Sequence, residues 1–159
     1  MLKYEGIVRN KLIDYKFNEK SYLYKTFSKI ILNNRKIYGF LKNYDIIIPV
    51  PMSNKKYNKR GYNQTELIAM ELAKRLDIKF SNKNLVKIKE TETQSSLSKE
   101  KRKENIKGAF ELIDNKELEG KNIILFDDIY TTGSTTDECI NVLKKSNPKR
   151  ILTLTIAKD

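Results

Sequence analysis

The chain has 159 residues, 39% of them hydrophobic and 33% charged, with a net charge of +12. That length gives one domain room for a core, and no run of about 18 apolar residues is present to span a membrane. Cys139 is the only cysteine and histidine is absent, so no internal disulfide and no Cys/His zinc site can be built within it.

The polar start, MLKYEGIVRNK, lacks the apolar stretch of a signal peptide, and with a single cysteine it points to a reducing cytoplasm. Residues 1–64 carry 14 basic and 4 acidic side chains, against 12 and 11 in 65–119 and 6 and 5 in 120–159. A basic segment of this kind suits a polyanion such as nucleic acid, or is a set of solvated lysines. Within it, Val8, Leu12 and Ile13 predict a helix over 5–16. Leu23, Phe27, Ile30 and Ile31 predict another over 21–34, and a short third falls near 37–42. Tyr22, Tyr24, Tyr38 and Tyr44 are packing residues or, in a nucleic-acid binder, stacking residues.

YDIIIPVP (44–51) changes the period: a short apolar run ended by prolines predicts a strand buried on both faces. The loop 52–64 leads to a helix over 65–76, with Ile68, Leu72 and Leu76 on one face. LVKI (85–88) reads as the next strand, closing a parallel strand–helix–strand unit. Residues 89–108 are almost wholly polar and predict an exposed excursion, with one helical turn from Ser98. AFELI (109–113) is a strand, a turn follows at 118–120, and KNIILFDD (121–128) is the strongest strand of the chain. A helix over 135–145 turns Cys139, Val142 and Leu143 inward, and RILTLTIA (150–157) is a final strand. The sum is an α/β fold: a mostly parallel central sheet flanked by helices, with a helical N-terminal segment at 1–43 and a core at 44–159.

FDDIYTTGSTTDE (126–138) joins two chemistries. Ligands of open α/β sheets bind beyond the carboxyl ends of the strands, where Asp127 and Asp128 fall. Gly133 suits a tight turn into the next helix, whose N-terminal N–H groups attract a phosphate; Thr131, Thr132, Ser134 and Thr135 add hydroxyl donors. The two carboxylates suit a vicinal diol or Mg²⁺. One ligand that carries a phosphate, a vicinal diol and a Mg²⁺-bound anionic group would satisfy both.

IILFDDIYTTGST resembles the signature by which type I phosphoribosyltransferases bind phosphoribosyl pyrophosphate, PRPP, with Tyr130 where most carry an aliphatic residue; the resemblance implies that ligand and the type I phosphoribosyltransferase fold here, with residues 1–43 as its hood-like segment. PVPMSNKKYNKRGYNQTELIA and TETQSSLSKEKRKENIKGAF stand before it in the order seen in the ComF (GntX-like) family, and the similarity runs over residues 4–157. That family joins a four-cysteine zinc module to the phosphoribosyltransferase domain. The module would end before Met1, which implies a shortened chain or a member without it, and no zinc is expected here. The resemblance implies ribose and Mg²⁺ binding by Asp127 and Asp128, the latter directly or through water. It implies 5-phosphate binding by Thr131, Thr132, Gly133, Ser134 and Thr135, and pyrophosphate binding by Pro51, Met52, Ser53 and Arg60. Gly61, Asn63 and Gln64 are further candidates beside the pyrophosphate, or else a helix cap. The polar excursion corresponds to the family's flexible loop, with Gln94, Leu97, Arg102 and Asn105 in it. Arg102 is then the cation for the departing pyrophosphate, a catalytic role shared with Asp127 and Asp128. Lys99, Lys101 and Lys103 are solvated charges or helpers.

Two functions follow from the resemblance: a phosphoribosyltransferase acting on an unidentified acceptor, in the setting of natural competence and DNA uptake, or a non-catalytic PRPP sensor or single-stranded-DNA-handling protein on the same fold. Implied partners are PRPP, single-stranded DNA through the basic N-terminal segment, a competence helicase, and a second copy in a dimer.

Overall fold

The computed structural model describes residues 1–91 and 99–159, with residues 99 and 100 as backbone alone. A two-residue strand β1 (Leu2–Lys3) precedes helices α1 (Gly6–Phe17), α2 (Leu23–Leu32) and α3 (Arg35–Leu41). Next come β2 (Ile46–Pro49), α4 (Asn54–Arg60), α5 (Gln64–Leu76), β3 (Lys79–Phe80) and β4 (Leu85–Lys87). The chain continues through α6 (Lys99–Ile106), β5 (Phe110–Leu112), β6 (Asn122–Tyr130), α7 (Ser134–Leu143) and β7 (Arg150–Lys158).

The central sheet has the order β1-β7-β6-β2-β3, and every pairing in it is parallel. All four residues of β2 are buried, as the unbroken apolar run predicts. The two-residue period of the strands divides the core. Ile47, Ile124 and Phe126 join Leu12, Tyr15, Phe27 and the inner face of α5 on one side. Ile46, Ile48, Ile123 and Leu125 join Leu85, Ile106, Cys139 and Leu143 on the other. Each such fully buried aliphatic side chain contributes about 1.5–3 kcal/mol, and through Leu12, Tyr15, Phe27, Ile31 and Leu41 the N-terminal helices share the main core.

Four expectations are corrected. LVKI is not the parallel partner of β2. Asp77, in the left-handed conformation at φ 56°, ends α5 abruptly, and the chain returns at once as β3, which takes the edge beside β2. β4 instead pairs antiparallel with β5 in a separate two-stranded sheet. The loop over 52–64 contains α4, ended by Gly61 at φ 80°, whose N–H donates to the Tyr57 carbonyl. The second half of the polar excursion is α6, docked by the buried Ile106. Ile30 is exposed, while Ile31 is buried.

Candidate functional site

The C-terminal ends of β2, β6 and β7 open onto a cleft of about 510 Å³. Pro51, Met52 and Ser53 reach it from the end of β2, and Asp127 and Asp128 from β6. Thr131, Gly133, Ser134 and Thr135 reach it from the turn into α7, Arg60 from the end of α4, and Arg102 from α6. Thr132 is not on this wall; its hydroxyl lies 2.9 Å from that of Ser134. Residues far apart in sequence thus converge. Gln94 and Leu97 lie outside the described residues, and Gly61 and Asn105 are not on the cleft wall.

Asp128 is buried at 5% exposure. Its Oδ2 accepts from Gln64 Nε2 at 2.9 Å and pairs with Lys16 Nζ at 2.9 Å. Its backbone N–H donates to Asp127 Oδ1 at 2.8 Å. Burial first, and the Asp128 charge second, raise the Asp127 carboxyl to about 7; that N–H and Lys16 act against the shift. Arg60 donates to Gln64 Oε1 and lies 5.2 Å from the centre of the Phe17 ring. The chain Lys16–Asp128–Gln64–Arg60 therefore ties the last turn of α1 to the signature strand.

The turn from β6 into α7 is tight, as its glycine predicts. Gly133 takes φ 80° and caps α7; its carbonyl accepts from the Asp137 N–H at 2.8 Å and the Thr136 hydroxyl at 2.9 Å. The Tyr130 ring packs against Gly133. At the other wall Asn63 is the helix cap: its Oδ1 accepts from the Thr65 N–H, and its amide reaches the Val50 carbonyl at 3.4 Å. Asn63 and Gln64 also face the cleft. Ser53 Oγ is buried and, among the described residues, has no hydrogen-bond partner.

Sequence reasoning did not find Lys16, Lys56 and Lys87, which also line the cleft. Lys56 and Lys87 are both held below the ordinary lysine range, chiefly by burial, Lys87 at about 8. No spacing pattern links them; only α4 and the β4–β5 pair bring the last two to the cleft. Cys139 is fully buried in the second core cluster, and burial pushes its thiol well up. Tyr44 is buried, Tyr24 and Tyr38 pack on the first core cluster, and Tyr22 is exposed.

Among the described residues no group of three or more metal-ligating side chains occurs. The adjacent carboxylates Asp127 and Asp128 on the cleft wall are oxygen ligands of the kind a divalent cation such as Mg²⁺ takes.

The family model for the phosphoribosyl transferase domain matches residues 64–159. The chain belongs to that family. Within this family it resembles competence protein F of Haemophilus influenzae, 33% identical over 141 residues, covering 86% of this chain and 62% of that protein. Competence protein ComFC of Bacillus subtilis is 32% identical over 119 residues, 73% of this chain and 41% of that one. DNA utilization protein YhgH of Escherichia coli K12 is 30% identical over 135 residues, 82% and 58%. These relatives make it a ComF-family phosphoribosyltransferase-domain protein, and it spans about three fifths or less of their length. Its fold is shared with glutamine PRPP amidotransferase of B. subtilis (TM-score 0.55, 13% identity, 84% of this chain and 26% of that one). It is also shared with purine phosphoribosyltransferase of Pyrococcus horikoshii (TM-score 0.52, 16% identity, 86% and 73%).

Proposed function

We propose that this ComF-family domain binds PRPP with Mg²⁺ in the cleft and transfers its phosphoribosyl group to an acceptor, in the cytoplasm and in the service of DNA uptake. One observation carries the reading: a single cleft holds both the paired carboxylates of β6 and the glycine turn into α7.

In this reading the turn 131–135 holds the 5-phosphate through backbone N–H groups and hydroxyls. Asp127 and Asp128 accept hydrogen bonds from the ribose hydroxyls and hold Mg²⁺. Bound Mg²⁺ supplies charge neutralisation of the diphosphate. The loop Pro51–Ser53 and Arg60 receive the diphosphate, and the unpartnered Ser53 hydroxyl gains an acceptor there. A nitrogen lone pair forms the new bond to C1 while the C1–O bond breaks, its electron pair leaving with the diphosphate. Arg102 stands on the cleft wall to meet that charge. Pyrophosphate release from PRPP, assayed with a panel of bases and amines, tests transfer. PRPP binding without release from any acceptor would favour a sensor.

A second reading, single-stranded DNA handling, is favoured by α4. It carries Lys55, Lys56, Lys59 and Arg60 with no acid and exposes its own Tyr57 at 47%, while Phe17, exposed at 69%, lies against Arg60. Binding of an oligonucleotide that weakens steeply with salt supports it; no binding at low salt removes it.

A further inference from the structure

Lys16 stands in the last turn of α1, outside the matched domain, yet its ammonium touches the signature carboxylate Asp128. Anchoring α1 does not require it, because Leu12 and Tyr15 are already fully buried. A Lys–Asp pair this shielded is a poor source of stability, since desolvation offsets most of the attraction.

The charges around it point to another use. An ammonium has three N–H donors, and Lys16 turns one of them to Asp128 Oδ2 at 2.9 Å. Burial, then the charges of Arg60 and Lys16, depress the Lys56 ammonium, and Lys56 in turn depresses Lys87. Lys16 and Arg60 therefore act on Lys56, and Lys56 on Lys87, with Glu90 opposing them at both lysines. Among the described residues, five basic and three acidic side chains line the cleft. Like charges gathered in a half-buried wall repel unless a multivalent anion joins them.

We propose that Lys16 is a ligand-contacting residue, spanning the ribose side of the cleft at Asp128 and the diphosphate side at Lys56 and Arg60, and donating to the diphosphate of the bound sugar. This rests on the PRPP reading of the cleft. It makes the N-terminal helices a working part of the site rather than a cover for the core.

Calorimetry of the full chain separates the possibilities, with PRPP and Mg²⁺ as one probe and ribose 5-phosphate, which lacks the diphosphate, as the other. Lys16→Met is expected to weaken PRPP binding about tenfold to a hundredfold while leaving ribose 5-phosphate within about twofold. Lys16→Arg, which keeps the charge, is expected to recover most of the loss. Equal weakening of both ligands would mean that Lys16 only fastens α1 and would overturn the inference, as would unchanged or tighter PRPP binding. Absence of PRPP binding by the unaltered protein overturns the proposed function first and the role of Lys16 with it.

Discussion

The Tyr130 ring closes over Gly133 so tightly that a β-carbon at position 133 would lie 2.6 Å from the tyrosine hydroxyl. Gly133 also sits at φ 80°, where L side chains cost about 1–2 kcal/mol. Gly133→Ala thus meets two separable penalties. In a Tyr130→Leu background only the backbone penalty should remain. Urea unfolding of the four proteins is expected to show a smaller loss from Gly133→Ala once Tyr130 is gone, with about 1 kcal/mol or more persisting.

Lys87 carries a pH dependence of definite sign. Its folded value, about 8, lies below the ordinary 10.5 because of burial. Between those values the unfolded chain binds more protons than the folded one, so this group costs stability at pH 7 and the cost fades as pH rises through that window. Lys87→Met is expected to raise the urea midpoint at pH 7 and to flatten the rise above pH 8. PRPP affinity of the unaltered protein should move the other way, falling as pH rises through 8 and the ammonium is lost.

The start of α5 is held by two coupled side chains. Asn63 Oδ1 caps the helix, and the single Thr65 hydroxyl hydrogen lies between two acceptors, Asn63 Oδ1 at 2.7 Å and the Val50 carbonyl at 2.8 Å. Asn63→Ala is expected to cost about 1–2 kcal/mol and Thr65→Val about 1–3 kcal/mol. Because they share a bond, the double variant should lose less than the sum by about 0.5 kcal/mol or more. Strict additivity would show that the two act independently.

Cys139 is fully buried, and its thiol is pushed well above its ordinary range. A thiol reagent at pH 8 should therefore leave the native protein unlabelled and label it at the rate of unfolding. Rapid native labelling would place Cys139 at the surface.

Legibility in the sequence followed the length of apolar pattern each element carries. β2, β6 and β7 are unbroken or alternating apolar runs, and α5 has a full face of leucine, isoleucine and alanine. α4 escaped because Tyr57 is the one large apolar residue of NKKYNKR, so its helix shows no period. β1 and β3 are two residues long, too short for alternation, and missing β3 misassigned the partner of β4. The site divides in the same way. Asp127, Asp128 and the 131–135 turn lie within one contiguous stretch with its own chemical logic. Lys16 is joined to Asp128 only by tertiary structure, across 112 residues.

Asp127 and Asp128 are proposed to hold PRPP with Mg²⁺. Calorimetry with PRPP in the presence and absence of Mg²⁺, on the unaltered protein and on Asp127→Ala with Asp128→Ala, tests this. Mg²⁺-dependent binding that the double variant, still folded, has lost is the expected result. Binding unchanged by the double substitution, or no binding by the unaltered protein, would overturn the proposal.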